Sequence, residues 1–142
     1  MEIDVKFYSQ EEIDDALLRY AVIVSRHDGK WIYCKHRKRN TLEIPGGRRE
    51  AGEAILVTAK RELYEETGAT DFSITPICVY GVVRDGEESY GMLFRAEISS
   101  LGPLPESEIE RIELLSEPPL IKEHTYPFIQ PKLLEKACAC AD

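Results

Sequence analysis

The chain has 142 residues, 43% hydrophobic and 31% charged, with 18 Lys and Arg against 26 Asp and Glu for a net charge of −8. That length and balance predict one folded domain with its own core, and exclude a disordered or low-complexity chain. The acidic excess argues against a general nucleic-acid binder, so an anionic ligand here calls for a metal ion or a local basic patch.

No apolar run approaches the roughly 20 residues of a membrane span, and the first ten residues, MEIDVKFYSQ, lack signal-peptide character, so cytoplasmic residence is expected. Cys34 and Cys78 lie in apolar, strand-like stretches, and Cys138 and Cys140 sit in the terminal ACACAD. Their spacing fits no zinc pattern, which leaves four reduced, chemically idle thiols as the expectation.

In chain order, Tyr20–Val24 is apolar, His27-Asp28-Gly29-Lys30 signals a turn, and Trp31–Lys35 resumes with strand-type residues, together a β-hairpin. A basic run, Lys35–Arg39, precedes a brief strand over Leu42–Ile44 that ends at Pro45. Ala54–Thr67 contains good helix formers and no Gly or Pro, and Gly68 suits the left-handed residue that closes a helix. Ser73–Val83 and Ser89–Ile98 flank Asp85-Gly86 as a second hairpin, in which Gly81 and Gly91 mark bulges or a close ligand approach. Ile109–Leu115 is a short strand or a helical turn, and Pro127–Ala139 reads as a closing amphipathic helix. Two hairpins, a central helix and a terminal helix predict a mixed sheet flanked by helices.

The chemistry concentrates in the central helix. With about 100° per residue and Glu62 as zero, Glu66 falls near 40° and Glu65 near 300°. Ile55, Ala59, Leu63 and Leu56 fall at about 20°, 60°, 100° and 120°, so Glu66 projects into the apolar arc and Glu62 lies at its edge. A solvated acidic face would point the other way. Like charges at about 4 Å cost ~1 kcal/mol in water and ~4 kcal/mol at an effective dielectric of 20, so a half-buried carboxylate cluster calls for a cation. Hard oxygen donors favour Mg²⁺, with Mn²⁺ an alternative. An acidic trio alone is usually a solvated helix face. Here Gly47, Glu53, Arg61, Glu62, Glu65, Glu66 and Gly68 coincide at one spacing, a chance of about 10⁻⁸ per position.

This segment resembles the Nudix box: Gly, five residues, Glu, seven residues, then Arg-Glu-aliphatic-any-Glu-Glu-any-Gly-aliphatic. Every fixed position is met over Gly47–Ala69, with the small aliphatic Ala69 the one soft departure, and a looser likeness runs from about Tyr20 to Glu97. The resemblance implies an α/β (α+β) fold, a Nudix-like α/β/α sandwich with a mixed central sheet, as a single domain over residues 1–142. It further implies that Glu65, Glu66 and the Gly46 carbonyl ligate a catalytic Mg²⁺ or Mn²⁺. Glu62 would be a second-metal ligand or the base for the attacking water, with Arg61 orienting the carboxylates and Glu53 bracing Arg61 and the loop. In MutT-type members a further acidic ligand follows the box. Glu97 is the positional candidate, with Glu87 and Glu88 as competitors.

The same resemblance makes Arg37 the nucleotide-contacting arginine, places Gly47 against the substrate, and sets Tyr80 and Gly81 near the base or ribose. Strand packing is the alternative role for Tyr80, and core packing for Tyr126 and Phe128, which otherwise close the pocket. The implied activity is metal-dependent hydrolysis of a diphosphate linkage in a small-molecule nucleotide. A nucleoside triphosphate, including an oxidised one such as 8-oxo-dGTP, would give the monophosphate and pyrophosphate. ADP-ribose, nucleotide sugars and an RNA 5′ end are alternative substrates, a non-catalytic nucleotide sensor is the alternative of another class, and a homodimer is possible on the family pattern.

Overall fold

The computed structural model describes residues 2–140. Its strands are β1 (Ile3–Tyr8), β2 (Leu18–His27), β3 (Lys30–His36), β4 (Leu42–Glu43), β5 (Gly46–Arg48), β6 (Ala69–Arg84), β7 (Glu87–Leu101) and β8 (Ile109–Leu115), with helices α1 (Ile55–Thr67) and α2 (Gln130–Ala139). All eight strands join one sheet in the order β1-β6-β7-β2-β3-β4, with β5 added to β2 and β8 to β3. The β2–β7 pair is parallel and the other ladders are antiparallel, so the sheet is mixed as predicted.

Both hairpins form. Asp28 and Asp85 take positive φ beside Gly29 and Gly86, the left-handed pair that a tight two-residue hairpin turn demands. The helix also forms as expected, and Gly68 at φ 80° closes it with its N–H on the Tyr64 carbonyl at 2.8 Å. Ile109–Leu115 resolves as a strand because it finds the free edge of β3. The terminal helix starts later than Pro127, at Gln130, with Pro131 in its first turn.

Each face of the sheet buries one helix. Ala59 and Leu63 of α1 pack on Ala21, Ile23, Val79, Met92, Phe94 and Ala96. Leu133, Leu134 and Ala137 of α2 pack on Val22, Val24, Tyr33, Tyr80, Val82 and Leu93. Period-two alternation along β2, β6 and β7 feeds both layers, giving the expected α/β/α sandwich. Leu56 departs from the helix projection: it lies in the first turn of α1 and is 40% exposed, while Thr58 and Thr67 complete the buried stripe.

Gly81 is not a bulge, since the β6–β7 register runs unbroken through it, whereas Gly91 borders the irregularity of the β2–β7 ladder, where Leu18 pairs with Tyr90 and Tyr20 with Gly91. The space of the missing Cβ is taken by the Glu88 carboxylate at Gly81 and by the Tyr80 ring at Gly91. β1 and β5 are additional to the sequence expectations. β5 converts the glycine turn into a strand on β2, pairing Gly46 with Val22 and Gly47 with Ala21.

Candidate active site

The site is assembled where β5 meets the last two turns of α1. Glu62, Glu65 and Glu66 line one cleft with Gly46, Gly47, Arg48, Glu43, His36, Arg39, Glu108 and Tyr126. Two glycines permit that approach. A Cβ at Gly46 would strike the Ala21 carbonyl across the β2–β5 pair, and one at Gly47 would overlap the Glu62 carboxylate. The Gly46 N–H donates to Glu66 Oε1 at 2.9 Å, fastening strand to helix.

Arg61 fixes the acidic side chains. Its Nε donates to Glu53 Oε2 at 2.7 Å, its Nη2 to Glu53 Oε1 at 3.0 Å and to the Arg48 carbonyl at 3.0 Å. Its Nη1 lies 3.4 Å from Glu62 Oε2 and 3.5 Å from Glu65 Oε2. Glu53 in turn accepts the Thr58 hydroxyl at 2.7 Å and the Glu50 N–H at 3.1 Å. Glu53 thus ties the loop, the first turn of α1 and Arg61 together. The Arg61 and Thr58 hydrogen bonds hold its carboxyl well below the usual range, at about 2.

The cluster moves the other way. Burial pushes the Glu66 carboxyl up to about 8, against the Gly46 N–H, with the charges of Glu62, Glu43 and Glu65 adding to the rise. Burial also raises Glu62, opposed by the Arg61 charge. A cluster in which Glu62 and Glu66 resist ionisation in isolation suits a divalent cation, which would both neutralise it and bind phosphate oxygens. The donors are hard oxygens, as Mg²⁺ or Mn²⁺ prefers. Among the described residues no three acidic, His or Cys side chains surround one point, and Arg61 and the Gly46 N–H engage the carboxylate oxygens of the cluster.

Two expected participants lie elsewhere. Glu97 is exposed and in register with Arg26, four residues along β2 from the Val22–Gly46 level, about 13 Å at the rise of a strand. Its competitors are also off the cleft: Glu88 receives the Tyr8 and Tyr90 hydroxyls, and Glu87 pairs with Arg84 at the exposed hairpin end. Arg37 turns its guanidinium to the Ser107 carbonyl at 2.9 Å, so of the basic run it is Arg39 and His36 that line the cleft.

Sequence reasoning missed Glu43. It is 9% exposed, lines the cleft, and is held by Arg39 at 3.3 Å, while its charge contributes to the rise of Glu66. Its signal was an acid beside Pro45-Gly46, masked because Glu43 also fits the outward position of an alternating strand.

A second cavity, of about 320 Å³, adjoins the cleft on the α2 face. Tyr20, Val22, Ile44, Tyr80, Val82, Ile129 and Leu133 line it, with Arg48, Arg84, Ser89, Tyr126 and Gln130 as its polar groups. Glu43, Gly46, Gly47, Arg48 and Tyr126 line both spaces. Tyr80 is buried and lines the cavity, Gly81 does not, and Phe128 is 64% exposed and lines neither space.

A NUDIX domain family model matches residues 16–136. The chain belongs to the Nudix family. This Nudix domain is 31% identical over 83 residues to a Bacillus subtilis protein that carries the name "Putative 8-oxo-dGTP diphosphatase YtkD", across 58% of this chain and 52% of YtkD. It is 44% identical over 64 residues to the ADP-ribose pyrophosphatase of the same organism, across 42% of this chain and 35% of that protein. The matched stretches therefore span about half and about a third of those two curated relatives. Among solved structures, the B. subtilis pyrophosphohydrolase BsRppH superposes with a TM-score of 0.78 at 26% identity, covering 96% of this chain and 90% of that one. Among the described residues no helix is long and apolar enough to cross a membrane.

Proposed function

We propose that this Nudix domain hydrolyses a nucleoside triphosphate to the nucleoside monophosphate and pyrophosphate, with oxidised purines such as 8-oxo-dGTP among its substrates. The observation that carries the reading is the contiguity of the two spaces: an apolar cavity sized for a small ligand opens directly onto the carboxylate cleft. A base and ribose in the first would lay their phosphates across Gly46, Gly47 and Arg48 into the second.

In this reading Glu65, Glu66 and the Gly46 carbonyl would hold Mg²⁺ or Mn²⁺, and Glu62 would either help hold a second ion or accept the proton of the attacking water. When bound, the metal neutralises phosphate charge and lowers the pKa of a coordinated water. Arg61 and Glu53 position the carboxylates without touching the substrate. Arg39 supplies positive charge in the cleft, where developing charge on phosphoryl oxygens needs it, and His36 lines the same space. Glu43 lines both spaces, at the junction of nucleoside and phosphates.

The test is a product-resolved screen with Mg²⁺ over normal and oxidised nucleoside triphosphates, ADP-ribose, nucleotide sugars and triphosphorylated RNA. Pyrophosphate release from a triphosphate is the expected result. Turnover confined to ADP-ribose or a nucleotide sugar would refute the substrate assignment. Tight binding of a nucleotide with no turnover of any compound would make the domain a sensor.

A further inference from the structure

The sheet ends at β1 with one side of that strand unused. Among the described residues β1 pairs only with β6, in an unbroken antiparallel register from Ile3↔Arg84 to Tyr8↔Val79. The two-residue Asp85-Gly86 turn closes on Arg84 and Glu87, so Arg84, Val82 and Tyr80 direct their backbone groups to β7. The alternate residues Val83, Gly81 and Val79 therefore turn theirs to β1, where they meet Asp4, Lys6 and Tyr8. The Asp85 N–H, which donates to the Glu2 carbonyl at 3.4 Å, continues the same phase. By that alternation the N–H and C=O groups of Ile3, Val5 and Phe7 point outward from the sheet edge.

The side chains of the strand divide in the same way. Ile3, Val5 and Phe7 pack in part against the α2-side core, and Asp4 and Lys6 are exposed on the other face. Neither charge has an ion-pair partner among the described residues: Asp4 faces Val83 across the ladder and Lys6 faces Gly81. The Glu88 carboxylate that fills the place of a Gly81 side chain is taken by the Tyr8 and Tyr90 hydroxyls. The strand carries neither proline nor bulge, two devices that keep sheet edges apart. The edge at β8 differs, since its register breaks between Lys35 and His36 and its Arg111 is already held by Glu110 and Glu113.

We propose that β1 is the docking edge for a second copy of this chain, the two strands pairing antiparallel about a two-fold axis at Val5. Val5 then exchanges backbone hydrogen bonds with its counterpart, and Ile3 does so with Phe7 of the second copy. Each Asp4 stands directly opposite Lys6 of the other copy, where unlike charges attract and like charges repel. Charge selects this register. An axis at Asp4 or at Lys6 sets like against like, one at Ile3 sets Asp4 against Glu2, and one at Phe7 leaves Lys6 against Tyr8. A lysine on an edge strand ordinarily deters pairing, and here an aspartate of the second copy answers it. The same pairing covers Ile3, Val5 and Phe7 on the α2 face. Because Val5 and Phe7 lie beside Val82 and Tyr80, it also braces a wall of the nucleoside cavity. The inference is independent of which nucleotide the cavity takes.

Charge reversal isolates the effect, because both charged side chains are exposed and the fold does not depend on them. Sedimentation equilibrium of the full chain should show a dimer fraction that rises between about 10 and about 500 µM. Asp4→Lys and Lys6→Asp, each of which sets like charges opposite one another twice, should weaken dimerisation at least about tenfold. The double variant Asp4→Lys/Lys6→Asp restores both pairs and should recover the wild-type constant. Val5→Pro removes an outward N–H, a change an edge strand tolerates, and should leave a folded monomer. In the wild type, amide exchange at Ile3, Val5 and Phe7 should slow with rising concentration, while exchange at Asp4 and Lys6, already bonded to β6, should not change. A monomer at every concentration overturns the proposal. So does a dimer indifferent to the single reversals, or one that the double reversal fails to restore.

Discussion

The α-carbon of Gly47 faces the Glu62 carboxylate so closely that a single added Cβ would occupy the carboxylate's own position. A strand residue and a helix residue fifteen positions apart are thereby fitted to each other, and the absence of a side chain on one sets the place of the charge on the other. Gly47→Ala should displace Glu62 with little effect on the core, since Gly47 lies outside both core clusters. A displacement of about 1 Å at a reacting group can cost roughly 100-fold in rate, and a loss of that order in kcat with a preserved melting transition is the expected result.

The Arg61–Glu53 pair predicts acid sensitivity. Glu53 has a folded pKa depressed to about 2, below its unfolded value near about 4.3. Its contribution is fully present above the unfolded value and is lost as pH falls through the folded one, the unfolded state then binding the extra proton. Glu53→Gln should therefore flatten the stability profile between about pH 4 and pH 2, read by denaturant titration at each pH. Arg61→Ala, which removes the charge-assisted bonds to Glu53, should lower stability at neutral pH and flatten the same acid profile.

Glu66 has the opposite sign. Its folded pKa of about 8 lies above any unfolded carboxylate value, so in the absence of metal the folded state binds the extra proton. Its effect is to lower stability as pH rises from about 4.3 to 8. Glu66→Gln removes that ionisation, and the metal-free variant should be more stable than wild type at pH 8 by about 1 kcal/mol, roughly 3 °C in Tm for a chain of this length. Thermal melts in chelator at pH 4 and pH 8 check this: the difference between the two proteins should be present at pH 8 and nearly gone at pH 4.

Metal binding should release the same proton. Below pH 8 the apparent Mg²⁺ or Mn²⁺ affinity is expected to weaken up to about tenfold per pH unit, and calorimetry in buffers of different ionisation enthalpy should show proton release near pH 7. Chelator should abolish turnover reversibly. Proton release independent of Glu66→Gln would place the cation elsewhere.

The helix and the placement of its carboxylates were legible in the sequence because both obey local rules. A gap-free run of helix formers ended by Gly68 sets α1, and the 100° step alone puts Glu66 on the apolar side of it. The hairpins were legible for the same reason, since Asp28-Gly29 and Asp85-Gly86 carry their own turn geometry. What escaped depends on partners remote in the chain. β1 alternates Ile3, Val5 and Phe7, but only its pairing with β6 makes it the sheet edge. Glu97 looked suitable by distance along the chain, whereas the parallel β2–β7 register carries it past the cleft to the level of Arg26. Arg37 and Arg39 were indistinguishable until the Ser107 carbonyl claimed one of them. Gln130 gave no signal at all, because its partner, Ile44, is 86 residues away.

The most direct test of the account is pyrophosphate release from a nucleoside triphosphate by wild type and Glu66→Gln, measured side by side in Mg²⁺ with folding verified for both. The account predicts sustained release by the wild type and a loss of at least about 100-fold in the folded variant, as removal of one electrostatic participant typically produces. Full activity in Glu66→Gln would contradict the assignment of the α1 carboxylates as the hydrolytic metal site.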